Sequence, residues 1–113
     1  MLEITTITAH PKQRMTLVLE NNETVEFMLY YLPRQQAWYF DFKYKDLSVN
    51  CSKVVLSMNT LRQFRRIIPF GIAFDTDGFV EPFDINDFAS GRIRMYILNS
   101  QEVQQVETEI FNG

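Results

Sequence analysis

His10 and Cys51 are the only histidine and the only cysteine in the chain, so any imidazole or thiol chemistry must run through them. His10 stands directly before Pro11. No partner at metal-ligand or nucleophile-elbow spacing accompanies it, and it reads as a loop histidine. Cys51 lies in a strand-like run, Ser48 to Val55. A catalytic thiol needs a basic neighbour, and no motif places one, so Cys51 reads as a small buried apolar group. Asp75, Asp77, Glu81, Asp84 and Asp87 form an acidic cluster around Gly78. An EF-hand loop puts its glycine at position 6 and a glutamate at position 12. Counting from Asp75, the glycine here falls too early. Turn chemistry accounts for Asp77-Gly78; a hard cation held by loop carboxylates is the other reading. Arg62, Arg65 and Arg66 form a basic cluster with two readings, a docking patch for acidic or phosphate groups and a solvated face. The four glycines stand at 71, 78, 91 and 113, and no Walker A loop, dinucleotide fingerprint or Cys-x-x-Cys pair occurs. The sequence therefore assigns no catalytic residue, no metal ligand and no cofactor.

The elements that would position these groups are mostly strands. Residues 2–8, 14–20 and 24–31 are rich in β-branched and aromatic types, and Asn21-Asn22 predicts a hairpin between the second and third. Alternation puts Val25, Phe27 and Leu29 on one face. Pro33 interrupts the pattern. Residues 36–44 then carry the strictest alternation, with Trp38, Phe40, Phe42 and Tyr44 on one face and Tyr39, Asp41 and Lys43 on the other. That pattern predicts a sheet buried on one side. Residues 47–51, 53–58, 70–75, 79–83 and 92–98 are further strand candidates. Asn59 is placed to cap a short helix over 60–66 that Pro69 limits. Residues 84–91 read as a helical turn stopped by Gly91. Ser100 is placed to cap a terminal helix over 101–111, with Val103, Val106 and Ile110 as its apolar stripe. Many short strands at close spacing predict a mainly β fold, a small antiparallel barrel or sandwich with a short C-terminal helix, over residues 1–113 as a single domain.

Composition agrees with a folded domain. The 113 residues are 46% hydrophobic and 22% charged, with ten Phe and five Tyr. Net charge is −3, which argues against sequence-specific nucleic-acid binding, since that needs a basic footprint. The charge is uneven. Residues 1–66 carry nine Lys/Arg against six acids and residues 67–113 carry two against eight, so the two parts are +3 and −6. Such asymmetry can steer docking. The single cysteine suits a reducing compartment or a virion assembled in one. The N-terminal residues lack the pattern of a signal peptide, and no apolar run reaches the ~18 residues of a membrane span.

Three stretches carry a resemblance. They are Leu32-Pro33-Arg34-Gln35-Gln36-Ala37-Trp38-Tyr39-Phe40-Asp41, then Ile68-Pro69-Phe70-Gly71-Ile72, then Asp87-Phe88-Ala89-Ser90-Gly91-Arg92-Ile93. In this order and spacing, over about residues 24–98, the chain resembles the small tail proteins of the cyanophage baseplate plug family of contractile-tailed phages and prophages. The resemblance implies a structural virion protein at or near the axis of the tail baseplate. There it would pack against hub, spike and other baseplate proteins, help close the tail lumen and allow an oligomer within the assembly. It implies assembly in the host cytoplasm, no enzyme activity and no membrane partner.

With that role in view, the expected contact residues are Arg34, Gln35, Gln36, Arg62, Arg65, Arg66 and Arg92. The expected fold determinants are Pro33, Trp38, Phe40, Pro69, Gly71, Phe88 and Gly91, with Pro69 and Gly71 fixing a bend. Two other classes stay in view: a ligand-binding β-barrel whose aromatic face lines a cavity, and a hydrolase accessory to infection that uses Asp75 or Asp77 with a divalent ion.

Overall fold

Trp38, Phe40, Phe42 and Tyr44 do share one buried face, carried by a strand at the centre of the larger of two sheets. The computed structural model describes residues 1–112, with side chains as far as Thr108. Strands β2 (Lys12–Val18), β3 (Thr24–Leu32), β4 (Ala37–Tyr44) and β5 (Leu47–Lys53) form an antiparallel meander in sequence order. Strands β1 (Leu2–Glu3), β6 (Gly71–Thr76) and β7 (Ile93–Leu98) form a second antiparallel sheet, ordered β1-β7-β6. Helix α1 (Ser100–Asn112) follows and packs Val103 and Val106 on Ala73, Tyr96 and Leu98.

The two sheets stack as a sandwich and do not close into a barrel. Aromatic rings hold them together. Phe40 of β4 meets Phe74 of β6 with ring centroids 6.0 Å apart, and Phe74 meets Phe88 at 6.1 Å. The aromatic face is thus packed against the other sheet. Trp38, Phe40, Leu29, Ile72 and Met95 are fully buried in this one core.

Turn chemistry shapes the meander. Asn22 takes a positive φ of 65° in the β2–β3 hairpin, where asparagine is tolerated. Pro33–Gln36 make the β3–β4 turn, with Gln36 at φ 49°. Between β4 and β5 the ladder carries a bulge: Phe40 pairs with Ser52 but Phe42 pairs with Val49, so Asn50 and Cys51 both oppose Asp41. Cys51, at φ 57°, is exposed, not buried as its apolar character suggests. The bulge turns its side chain out, and Asp41 fixes the backbone by accepting the Cys51 N–H at 2.7 Å.

Several expected elements are shorter or absent, each for a local reason. The first strand stops at Glu3. Ile4 donates one more bond to the Met95 carbonyl, at 2.9 Å, and the chain then leaves the sheet. Beyond it the Gln13 side chain takes up the Thr8 backbone N–H and C=O, a local alternative to a ladder. Of the strand expected over 53–58, Lys53 ends β5 and residues 54–58 are a crossing between sheets: Val54 donates to the Trp38 carbonyl of one sheet and Ser57 bridges Phe74 of the other. Residues 79–83 form a loop in which Pro82 supplies no donor. The helix expected over 60–66 reduces to a 3-10 turn at Arg62–Phe64. Asn59 is buried, and its Oδ1 accepts the Leu61 N–H at 3.0 Å and the Ile72 N–H at 3.2 Å. The cap of α1 is Asn99, not Ser100. Asn99 Oδ1 accepts the Glu102 N–H at 2.8 Å, and Glu102 returns a carboxylate oxygen to the Asn99 N–H at 3.0 Å. Of the expected apolar stripe, the Ile110 side chain lies outside the described residues.

Gly71 packs directly against the buried Asn59 side chain, which leaves no room for a Cβ. A Cβ there would stand 2.7 Å from Asn59 Oδ1. Gly91 is required for conformation, at φ 83°.

Candidate functional site

Strand β4 runs from one end of the sandwich to the other, so its residues sort the expected site residues by position. At its start, Trp38 stacks edge-on against Phe88 at 5.3 Å and donates its indole N–H to the Asp84 carbonyl at 2.9 Å. This brings the Pro33–Gln36 turn and the 84–92 turn to the same end. At its finish, Tyr44 packs on Phe70 at 5.5 Å, and Phe42 packs on Phe64 at 6.1 Å and Phe70 at 5.9 Å. This places Arg62, Arg65, Arg66 and Pro69 at the opposite end. The three stretches of the sequence resemblance therefore divide into two ends of one body, with Trp38 and Phe40 buried between them.

At the first end, Pro33, Arg34, Gln35 and Gln36 are exposed. Arg92 is not presented in the same way. Its guanidinium pairs with Asp87, which is only 4% exposed, at 2.8 Å. The remaining donors reach the Val80 carbonyl at 2.8 Å and the Glu81 carbonyl at 3.1 Å, and the group lies over the Phe83 ring at 4.9 Å. Arg92 Nε donates to Asp87 Oδ1 at 2.8 Å, and Asp87 Oδ2, beside Arg92 Nη2, also accepts the backbone N–H groups of Phe83 at 2.7 Å and Asp84 at 2.8 Å. Burial opposes ionisation of Asp87. Arg92 and the two amides outweigh it and hold the carboxyl below the usual carboxylate range. Arg92 is thus a structural tie of the 79–92 segment. The sequence grouped Arg92 with the expected contact residues and did not show these intramolecular partners, because an arginine's partners cannot be read from its own position.

At the second end, Arg62 and Arg65 both reach Glu107 of α1, each at 2.8 Å. Arg62 foremost, against the opposing effect of burial, and then Arg65 and Arg66 keep the Glu107 carboxyl below its ordinary range. Arg66 itself is exposed, next to an exposed Ile67. This is a basic surface partly neutralised by one carboxylate.

The remaining chemical candidates lie elsewhere. Arg94 bridges Asp75 at 3.0 Å and Asp77 at 2.9 Å. The carboxylates expected to serve a divalent ion thus share one guanidinium, and Asp77 is held below its usual range by it. Asp41 Oδ1 also accepts the Tyr30 hydroxyl at 2.9 Å. Burial first, and then Asp41 and Cys51, raise the Tyr30 phenol well above its ordinary value, so it stays protonated. Among the described residues no three His, Cys, Asp or Glu side chains converge as metal ligands would. No described helix is long and apolar enough to cross a membrane.

The feature that sequence reading missed is the loop at 79–83. Phe79 is 89% exposed, and Val80 and Phe83 are each 52% exposed. Pro82 between two aromatics was the available signal, since proline argues against a paired strand there.

The family model described as cyanophage baseplate Pam3 plug gp18 matches residues 1–101 of the 113. No curated protein matches the chain.

Proposed function

The chain belongs to the cyanophage baseplate plug family, and from that membership we propose that it sits on the axis of a contractile tail, packs against hub and spike proteins and closes the lumen until infection. The match over residues 1–101 carries the reading. Physical properties support it. A plug must resist deformation, and the two sheets share one core of interlocked aromatic rings. It must also release without bond cleavage. The expected contact surfaces are non-covalent, with Arg34, Gln35 and Gln36 at one end and Arg62, Arg65 and Arg66 at the other. Opposite charge on a partner would guide such contacts and set their register.

In this reading the protein acts by occupying space and catalyses no reaction. It assembles in the host cytoplasm, where its free Cys51 stays reduced. The test is to make particles without the chain. The expected outcome is tails that lack a closed end and lose DNA. DNA-filled, infectious particles at the normal titre would overturn the proposal.

A further inference from the structure

The apolar loop at 79–83 is exposed and yet held in shape. Arg92 donates to two of its carbonyls and covers the Phe83 ring. The Leu56 N–H holds the Glu81 carboxylate at 2.8 Å, and the Tyr31 hydroxyl donates to the Phe83 carbonyl at 2.8 Å. Asp87 takes the Phe83 and Asp84 amides. Four residues from three segments therefore fix a loop whose side chains at 79, 80 and 83 are exposed. Phe79 also takes a positive φ of 55°, an unfavourable backbone for a bulky residue that persists only where the surroundings impose it. A shallow groove beside Phe79, lined by Leu56, Met58, Tyr96 and Val106, extends the apolar surface. Exposed aromatic groups on a backbone held in one conformation have the makeup of interface anchors, because the loop itself needs little further ordering on binding.

Charge identifies the partner. Between residues 75 and 94 stand five carboxylates and two arginines. Both arginines are engaged within the segment, Arg92 on Asp87 and Arg94 on Asp75 and Asp77. The rim of the loop is therefore acidic. Phosphate backbones are repelled by such a rim. A two-fold contact with a second copy would set the surplus carboxylates against each other.

We propose that the Phe79–Phe83 loop is a preformed docking tip that inserts into an apolar pocket rimmed by lysine or arginine on a different protein of the tail. This rests on the baseplate reading and names the surface that carries one of its contacts.

The test places the photo-crosslinker p-benzoylphenylalanine at Phe79, and in a parallel sample at Arg34, in phage that yield full particles. Irradiated particles are analysed by peptide mass spectrometry. The expected result at position 79 is a cross-link to another tail protein, in a peptide with apolar residues close to Lys or Arg. In the same host, Phe79→Asp is expected to lower incorporation at least about tenfold with an unchanged melting transition, since aspartate tolerates a positive φ. Val18→Asp, at another exposed apolar position, is expected to incorporate normally. Cross-links from 79 to DNA or to a second copy, or none, overturn the inference, as does full incorporation of Phe79→Asp. If position 34 cross-links to tail proteins while position 79 does not, the loop inference falls and the baseplate reading stands. Absence of the chain from the particles overturns both.

Discussion

The two ends of the sandwich use the same chemistry, arginine against carboxylate, in different surroundings. At the Trp38 end, Arg92 meets an Asp87 that is almost wholly buried and also bonded to two backbone amides. At the Tyr44 end, Arg62 and Arg65 meet a half-buried Glu107 of α1 that is nearer to solvent than Asp87. A buried pair leaves an uncompensated charge when one partner is removed. A pair with more access to water, such as that on Glu107, returns its charges to solvent more readily and contributes less. The first end is therefore expected to be a fixed frame, and the second an adjustable surface whose charges remain usable by a partner.

The largest expected effect tests that frame. Asp87→Ala strands Arg92 and two amides and is expected to lose about 3 kcal/mol of stability in denaturant titration. A loss comparable to that of an exposed pair would erase the distinction between the ends. Next comes Gly71→Ala, near Phe70 at the other end. Its Cβ would meet the buried Asn59 side chain, and the expected loss is about 1–3 kcal/mol. This locates the rigidity of the second end in packing and not in its ion pairs.

A pH scan sharpens the contrast. The Asp87 carboxyl sits below its ordinary value in the folded chain. Its contribution is complete above the unfolded carboxylate's pKa of about 3.9 and is lost as pH falls through the lower folded value. Asp87→Asn cannot make this contribution at any pH. The melting temperatures of the parent and Asp87→Asn are therefore expected to differ near pH 6 and to converge in acid. A constant gap across the scan would contradict the charge argument. The smallest effect belongs to Glu107→Gln, expected to leave the melting transition unchanged within error and to increase the net positive charge of the Arg62–Arg66 surface.

The same contrast explains what could be read in the sequence. The β2–β3 hairpin and the buried face of β4 were legible, because Asn21-Asn22 marks a turn and residues 36–44 alternate strictly, whereas the order of the strands and the bulge that joins 47–51 to 53 in one strand were not. The burial of Trp38 and Phe40 and the turn at Gly91 were legible, since both follow from pattern and residue type. The second sheet was harder, because β1 has two residues and its neighbours arrive from distant segments. Residues 79–83 have strand-like composition, yet Arg92 takes their carbonyls in place of a neighbouring strand. Cys51 reads as buried until the bulge turns it outward. In each case the missing information was a tertiary partner, which local propensity does not encode.

The central claim is that this chain is a built-in part of the tail baseplate. The most direct measurement is peptide mass spectrometry of purified, DNA-filled particles, with copy number counted against the tail tube protein. The account predicts the chain at a few copies per particle, as an axial part requires. Its absence from particles whose other tail proteins are all detected would contradict the account.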